Sequence, residues 1–180
     1  MAAEVEQLKL WCVLEEKGTD QQRALVRDLI EDASPILDRV IETFPTYTLH
    51  NSLHSRNVAE LMAHLLGDRL MDLSALEAAL LILSAYFHDI GMVFSDQARD
   101  RLTQEPYWPE FLNRHPEAYI AIEPGRAPST EIAENYCRWR HADRVFTYLN
   151  ELAPERFRWG AVSKPARNAM LREEDVQFES

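Results

Sequence analysis

A histidine and an aspartate lie side by side at the end of the most apolar part of the chain. His88 and Asp89 directly follow the run Ala78–Phe87, where burial of an unpaired aspartate would be costly. A bound cation would remove that cost, because a neutral imidazole nitrogen and a carboxylate oxygen are both common metal ligands. The pair therefore predicts a site for a divalent ion, with Mn, Fe, Ni, Zn and Mg all open.

A second histidine is placed to join this site. His54 lies 34 residues before His88, which is far enough for a separate helix and a turn to return the chain. We expect it on the inner face of a helix that Ser52 caps, because apolar residues recur there at helical spacings of three and four. These residues are Val58, Leu61, Met62 and Leu65.

A third region combines an arginine with a histidine. Arg138 and His141 are three residues apart, so they share one face of a helix. A guanidinium beside a metal-bound imidazole can hold a phosphate and stabilise the charge that develops on it. Three helices would then each contribute a histidine to one site, and Arg138 would meet the phosphate.

Helices must position these residues, because every long segment carries a helical apolar pattern. Gly18 ends a first helix, and Ser34-Pro35 is expected to divide the following apolar stretch into two helices. Ser74 and Glu77 form a capping box that opens the central buried helix, residues 75–87. We find no alternating pattern of useful length that would predict a strand.

The second half of the chain is expected to be less regular. Five of the nine prolines lie between Pro106 and Pro128, which predicts an irregular segment that could form a lid. A last long helix should begin at Ser129 or Thr130 and reach about Leu152. We therefore expect one helical domain over residues 1–159 and a flexible tail over residues 160–180.

Composition and charge exclude several classes of protein. The chain has 180 residues, of which 46% are hydrophobic, and this suits one soluble domain. The net charge of −11 argues against broad adhesion to nucleic acid or to an anionic membrane. Residues 138–172 nevertheless hold eight basic side chains against three acidic ones, which suits either a solvated helix face or an anion-facing patch.

The expected compartment is the cytoplasm. The longest apolar run has ten residues, short of the roughly 20 that a membrane helix needs, and the acidic N-terminus lacks the features of a signal peptide. Cys12 and Cys137 are far apart without a CxxC partner. We therefore expect both cysteines to be reduced thiols in the core.

Three stretches together resemble the HD superfamily of metal-dependent phosphohydrolases. They are Phe44–Val58 with His54, then Ala85-Tyr-Phe-His88-Asp89-Ile-Gly-Met92, and Arg138-Trp-Arg-His141-Ala142. The chain is most similar to HD domains that precede GHKL-type ATPase modules in bacterial proteins. The resemblance implies an all-α, HD-type helical bundle.

The resemblance also implies roles for single residues. His54 matches the first metal ligand, and His88 with Asp89 matches the central pair. His141 matches a further histidine that binds a second metal or the phosphate, and Asp89 and Arg138 are the expected catalytic residues. The family's closing aspartate has no counterpart, so the chain is expected to lack the last ligand-bearing helix. Three explanations stay open: a fragment, a site completed by a partner or by water, or weaker metal binding.

The function implied is hydrolysis of a phosphoester or phosphoanhydride, with a nucleotide as the favoured small substrate and no long nucleic acid. The alternative is a non-catalytic or degenerate HD-like domain that senses a ligand and regulates a partner effector. The missing aspartate supports this alternative. An apolar edge left by a missing helix would favour a homodimer.

Overall fold

Helices and turns make up the described part of the chain. The computed structural model describes residues 5–44, 51–94, 96–121, 128–147 and 149, and these contain no strand. The α-helices are α1 (Lys9–Lys17), α2 (Asp20–Leu37), α3 (Val40–Thr43), α4 (Ser52–Leu66), α5 (Ala75–Phe87), α6 (Asp96–Asp100), α7 (Trp108–Arg114), α8 (Pro116–Ala121) and α9 (Thr130–Thr147), and the 3-10 helices are Gly67–Asp72, Ile90–Met92 and Leu102–Gln104. The all-α prediction is confirmed.

A first core surrounds α5. Helices α1, α2 and α4 all pack against it, and Ile82 and Ala85 of α5 are fully buried there. The predicted capping box starts this helix, since Ser74 accepts from the backbone N–H of Glu77 and the Glu77 side chain accepts from that of Ser74. The prediction of a central buried helix ending just before His88 is therefore confirmed.

Helix α2 runs without a break through Pro35, so the predicted division at Ser34-Pro35 is wrong. A proline inside a helix removes one backbone hydrogen bond and costs about 3 kcal/mol. Here Pro35 lies on the exposed side, while Ser34 donates from its hydroxyl to the carbonyl of Ile30 at 2.7 Å. One face of the helix is buried from Val26 to Leu37, on both sides of Pro35 in the chain, and that continuous burial outweighs the lost bond.

The prediction of an irregular segment is wrong for residues 108–121, which form helices that pack in a second core. Helices α7 and α8 occupy most of residues 108–121. Pro109 is the second residue of α7 and Pro116 is the first residue of α8, and in the first turn of a helix a missing N–H costs nothing. Trp108 and Phe111 are buried against Tyr136 of α9. Residues 122–127 lie outside the described residues.

Helix α4 faces the core only partly as predicted, since Val58 and Met62 pack against it as expected. Its N-cap is Asn51 and not Ser52, and its C-cap is Gly67. Leu61 and Leu65 are 57% and 78% exposed, so their predicted inward position is wrong. The buried positions are the small residues Ser55, Ala59 and Ala63, which let α4 approach α5 closely.

The stretch Ala75–Met92 is the one described segment that is long and apolar enough to cross a membrane. More than half of it is buried inside the protein, as in the core helix of a soluble protein. Leu152, the boundary at 159 and the predicted tail lie outside the described residues, as does any final ligand-bearing helix.

The two cysteines differ in environment, contrary to the expectation that both lie in the core. Cys12 is exposed and Cys137 is buried. Burial raises the pKa of the Cys137 thiol to about 12, against a smaller opposing effect of the Arg144 cation. Since the thiolate is the reactive form, Cys137 should be inert in the folded protein.

We predict that a thiol reagent at pH 8 modifies Cys12 and spares Cys137 in the native protein, while both react after unfolding. Mass spectrometry of the labelled protein measures this. Folded Cys12→Ser protein is the control and should take up no label. Equal labelling rates of both cysteines in the native protein would contradict the described burial.

Candidate metal centre

Helices α4 and α5 bring three predicted ligands together. The ligand atoms of His54, His88 and Asp89 all lie within 4.8 Å of one another. Oδ2 of Asp89 is 2.9 Å from Nε2 of His88 and 3.6 Å from Nε2 of His54. The two imidazole rings lie 5.4 Å apart between centroids. Two nitrogens and one carboxylate oxygen thus converge on one place.

Each ligand is fixed by the end of a helix. Asn51 caps α4 by accepting from the backbone N–H of His54 at 3.1 Å. His88 is the C-cap of α5, and Asp89 is the N-cap of the 3-10 turn Ile90–Met92. Because His54 lies in the first turn of α4 and His88 and Asp89 lie at caps, the backbone determines where their side chains begin.

A hydrogen bond to the backbone selects the ligating nitrogen of His88. Its Nδ1 lies 2.9 Å from the carbonyl oxygen of Ala85. A carbonyl oxygen accepts, so Nδ1 carries the proton and Nε2 is left to face Asp89. Ligating histidines in proteins commonly donate their second ring nitrogen in this way, which sets the tautomer and the ring orientation.

The electrostatics of the group favour a cation. The Asp89 carboxylate beside Nε2 of His88 favours a positive charge there and raises the pKa of His88, and it outweighs the opposing effect of burial. Asp89 is 5% exposed, so its carboxylate needs a positive charge nearby. A divalent ion held by the two Nε2 atoms and Oδ2 would supply that charge. The donor set therefore fits the predicted metal.

A comparison with known families agrees with this geometry. A model of the HD-CE family matches residues 44–174, which is most of the chain and includes all three ligands. The chain belongs to the HD-CE family. The HD-type domain that the motifs predicted is therefore confirmed. No curated protein and no solved structure matches the chain.

The HD-CE match also covers Arg138 and His141 of α9. His141 is not part of the group of described ligand atoms within 4.8 Å. Its Nδ1 donates to the carbonyl of Arg138 at 2.5 Å, and the Arg138 side chain is exposed. Their roles in binding a metal and a phosphate stay predictions.

Gly91 is a functional position that the sequence pattern did not single out. A Cβ atom there would lie 2.0 Å from the backbone oxygen of His141 and 2.9 Å from the backbone nitrogen of Val145. Helix α9 therefore rests directly on the turn after Asp89. The glycine of His-Asp-Ile-Gly-Met could have indicated a close backbone contact, but the sequence spacing does not reveal which helix approaches it.

We predict that Asp89→Ala loses the bound divalent ion and keeps its helical circular dichroism, because it removes the central ligand without creating a large cavity. Metal analysis of protein purified without chelator measures the loss. Asp68→Ala, at an exposed acidic position, is the control and should keep the ion. Unchanged metal content in Asp89→Ala would remove this residue from the site.

We predict that Gly91→Ala destabilises the protein by about 1–3 kcal/mol or more, since the methyl group meets backbone atoms that cannot move independently. Urea unfolding measures the change in free energy. Ser84→Ala, an exposed position on α5, should change the free energy of unfolding by no more than about 0.5 kcal/mol. Equal stability of Gly91→Ala and the wild type would contradict the close approach of α9.

Proposed function

We propose that this HD-CE protein is a metal-dependent phosphohydrolase that acts on a phosphoester or phosphoanhydride, with a nucleotide as the favoured substrate. One observation carries the proposal. The side chains of His54 and His88 are 35% and 38% exposed, whereas that of Asp89 is 7% exposed. The group is therefore anchored on a buried carboxylate and open on its histidine side.

An open side distinguishes catalytic from structural metal sites. A structural ion is commonly enclosed by four protein ligands, whereas a catalytic ion has three and keeps a position for water or substrate. His54, His88 and Asp89 supply three. When bound, a divalent ion lowers the pKa of its water and stabilises charge on a phosphoryl oxygen. The protein residues hold the ion, fix the His88 tautomer and leave room for the phosphate.

The favoured substrate is small. The net charge of −11 opposes the approach of a long polynucleotide, while a compact phosphate can still pair with single arginines. We propose that Arg138, exposed on α9, provides such a contact. The cytoplasmic location and a homodimer belong to the same proposal, whereas an effector partner belongs to the sensor alternative.

A non-catalytic sensor is the second candidate. It is favoured by the missing closing aspartate, since no further aspartate joins His54, His88 and Asp89 among the described residues. A domain with this site could bind a metal and a phosphorylated ligand without turning it over. The two candidates differ in turnover and not in metal binding.

A screen of phosphate esters tests the proposal. Wild-type protein loaded with Mn²⁺ is incubated with p-nitrophenyl phosphate, bis(p-nitrophenyl) phosphate and the common nucleotides, and released product is measured. We expect turnover of at least one substrate that chelator abolishes and that Asp89→Ala lacks. A metal-loaded protein that binds nucleotide and hydrolyses none of the substrates would overturn the enzyme proposal in favour of the sensor.

We predict that Arg138→Ala weakens phosphate or nucleotide binding about tenfold, because a hydrogen bond to a charged group contributes about 1.5–3 kcal/mol. Metal content should not change. Isothermal titration calorimetry measures the affinity, and Arg114→Ala, which removes a surface partner of Glu110 on α7, is the matched control. An unaltered isotherm would reduce Arg138 to a surface charge.

A further inference from the structure

The turn that carries Asp89 connects the two cores of the protein. Ile90 packs in the core around α5, whereas Met92 and Phe94 pack in the core formed with α7 and α9. The turn is closed by Met92, whose backbone N–H donates to the carbonyl of Asp89 at 2.9 Å. A displacement of the second core relative to the first would therefore act directly on Asp89.

Arg144 of α9 holds the far end of this turn. Its Nη2 donates to the carbonyl oxygen of Val93 at 3.0 Å, and Val93 is the residue that ends the 3-10 helix. The guanidinium carbon lies 3.3 Å from the centroid of the buried Phe94 ring. One side chain thus contacts both residues that follow the turn.

The position of Arg144 is costly for a cation. Burial lowers the pKa of its guanidinium, and its Nη1 is buried without a hydrogen-bond partner among the described residues. Leaving such a donor unsatisfied is unfavourable. The contacts with Val93 and Phe94 offset part of this cost.

The residue that Arg144 contacts, Val93, is close to Asp89 along the backbone. Val93 lies four positions after Asp89, and at about 2 Å of rise per residue in a 3-10 helix this amounts to roughly 8 Å. Together with the contact of Gly91 and the α9 backbone, the Arg144 hydrogen bond fixes the turn at two points beyond the ligand.

We propose that Arg144 is a positioning residue for the metal centre. By fixing Val93 and Phe94 against α9, it holds the turn so that Oδ2 of Asp89 faces both imidazoles. This role is distinct from that of Arg138, which is proposed to contact substrate. The inference rests on the proposed metal site. It means that α9 affects metal affinity through Arg144, without supplying a ligand atom.

The test measures Co²⁺ binding, because Co²⁺ reports both affinity and ligand geometry through its visible absorption. Arg144→Met keeps the length of the side chain and removes the hydrogen bond to Val93. We expect its Co²⁺ affinity to fall about tenfold or more, in the range found when the supporting contacts of metal ligands are removed, with a changed absorption spectrum. Arg144→Lys keeps a cationic donor but not the planar group, and should recover part of the affinity.

Two controls separate positioning from general loss of stability. Arg114→Met removes a surface arginine of α7 and should bind Co²⁺ like the wild type. Leu102→Ala opens a cavity in the same core as Phe94 and should lower the melting temperature without changing the Co²⁺ spectrum. Should Arg144→Met fail to fold, Phe94→Leu removes the ring beneath the guanidinium and is expected to show a smaller loss of affinity in the same direction.

Wild-type affinity and spectrum in Arg144→Met would overturn the inference. So would an equal loss of affinity in Leu102→Ala. In both cases the metal centre itself stands if wild type binds Co²⁺ and Asp89→Ala does not. Absence of Co²⁺ binding by the wild type would overturn the metal centre and the positioning role together.

Discussion

The structure depends on one buried carboxylate. Asp89 is almost completely shielded from solvent and lies between the Nε2 atoms of His54 and His88. A carboxylate in that place is unfavourable without a positive charge beside it. The same carboxylate raises the pKa of His88, because it favours a positive charge on that imidazole. The elements around the group serve to keep this charge and its two imidazoles in a fixed arrangement.

The arrangement of Asp89 and its two imidazoles depends on backbone segments that approach one another closely. Helix α4 presents small residues, among them Ala59 and Ala63, toward α5, and α9 rests on the turn after Asp89 because Gly91 has no side chain. Such contacts tolerate little change in volume, since packed interiors relax only partly. The geometry of the candidate metal centre is thereby linked to α9, which supplies none of the three ligands.

Local signals in the sequence predicted that His54, His88 and Asp89 come together. The capping box at Ser74 and the apolar run behind it placed His88 and Asp89 at the end of a buried helix, and the spacing to His54 allowed a second helix to return. Tertiary contacts decided the rest. Pro35 is tolerated because its helix is buried along the opposite side, and the inward face of α4 consists of small residues that a search for large apolar ones passes over. No periodic pattern reveals that Arg144 reaches back to the turn.

Metal analysis of the purified protein shows directly whether His54, His88 and Asp89 bind an ion. Protein purified without chelator or a nickel column is analysed by mass spectrometry for bound metals, in the wild type and in His88→Ala. We expect about one equivalent of a divalent ion such as Mn, Fe, Ni or Zn in the wild type and its loss in the variant. A wild type with well under one equivalent, or a variant that retains the ion, would contradict a metal centre formed by His54, His88 and Asp89.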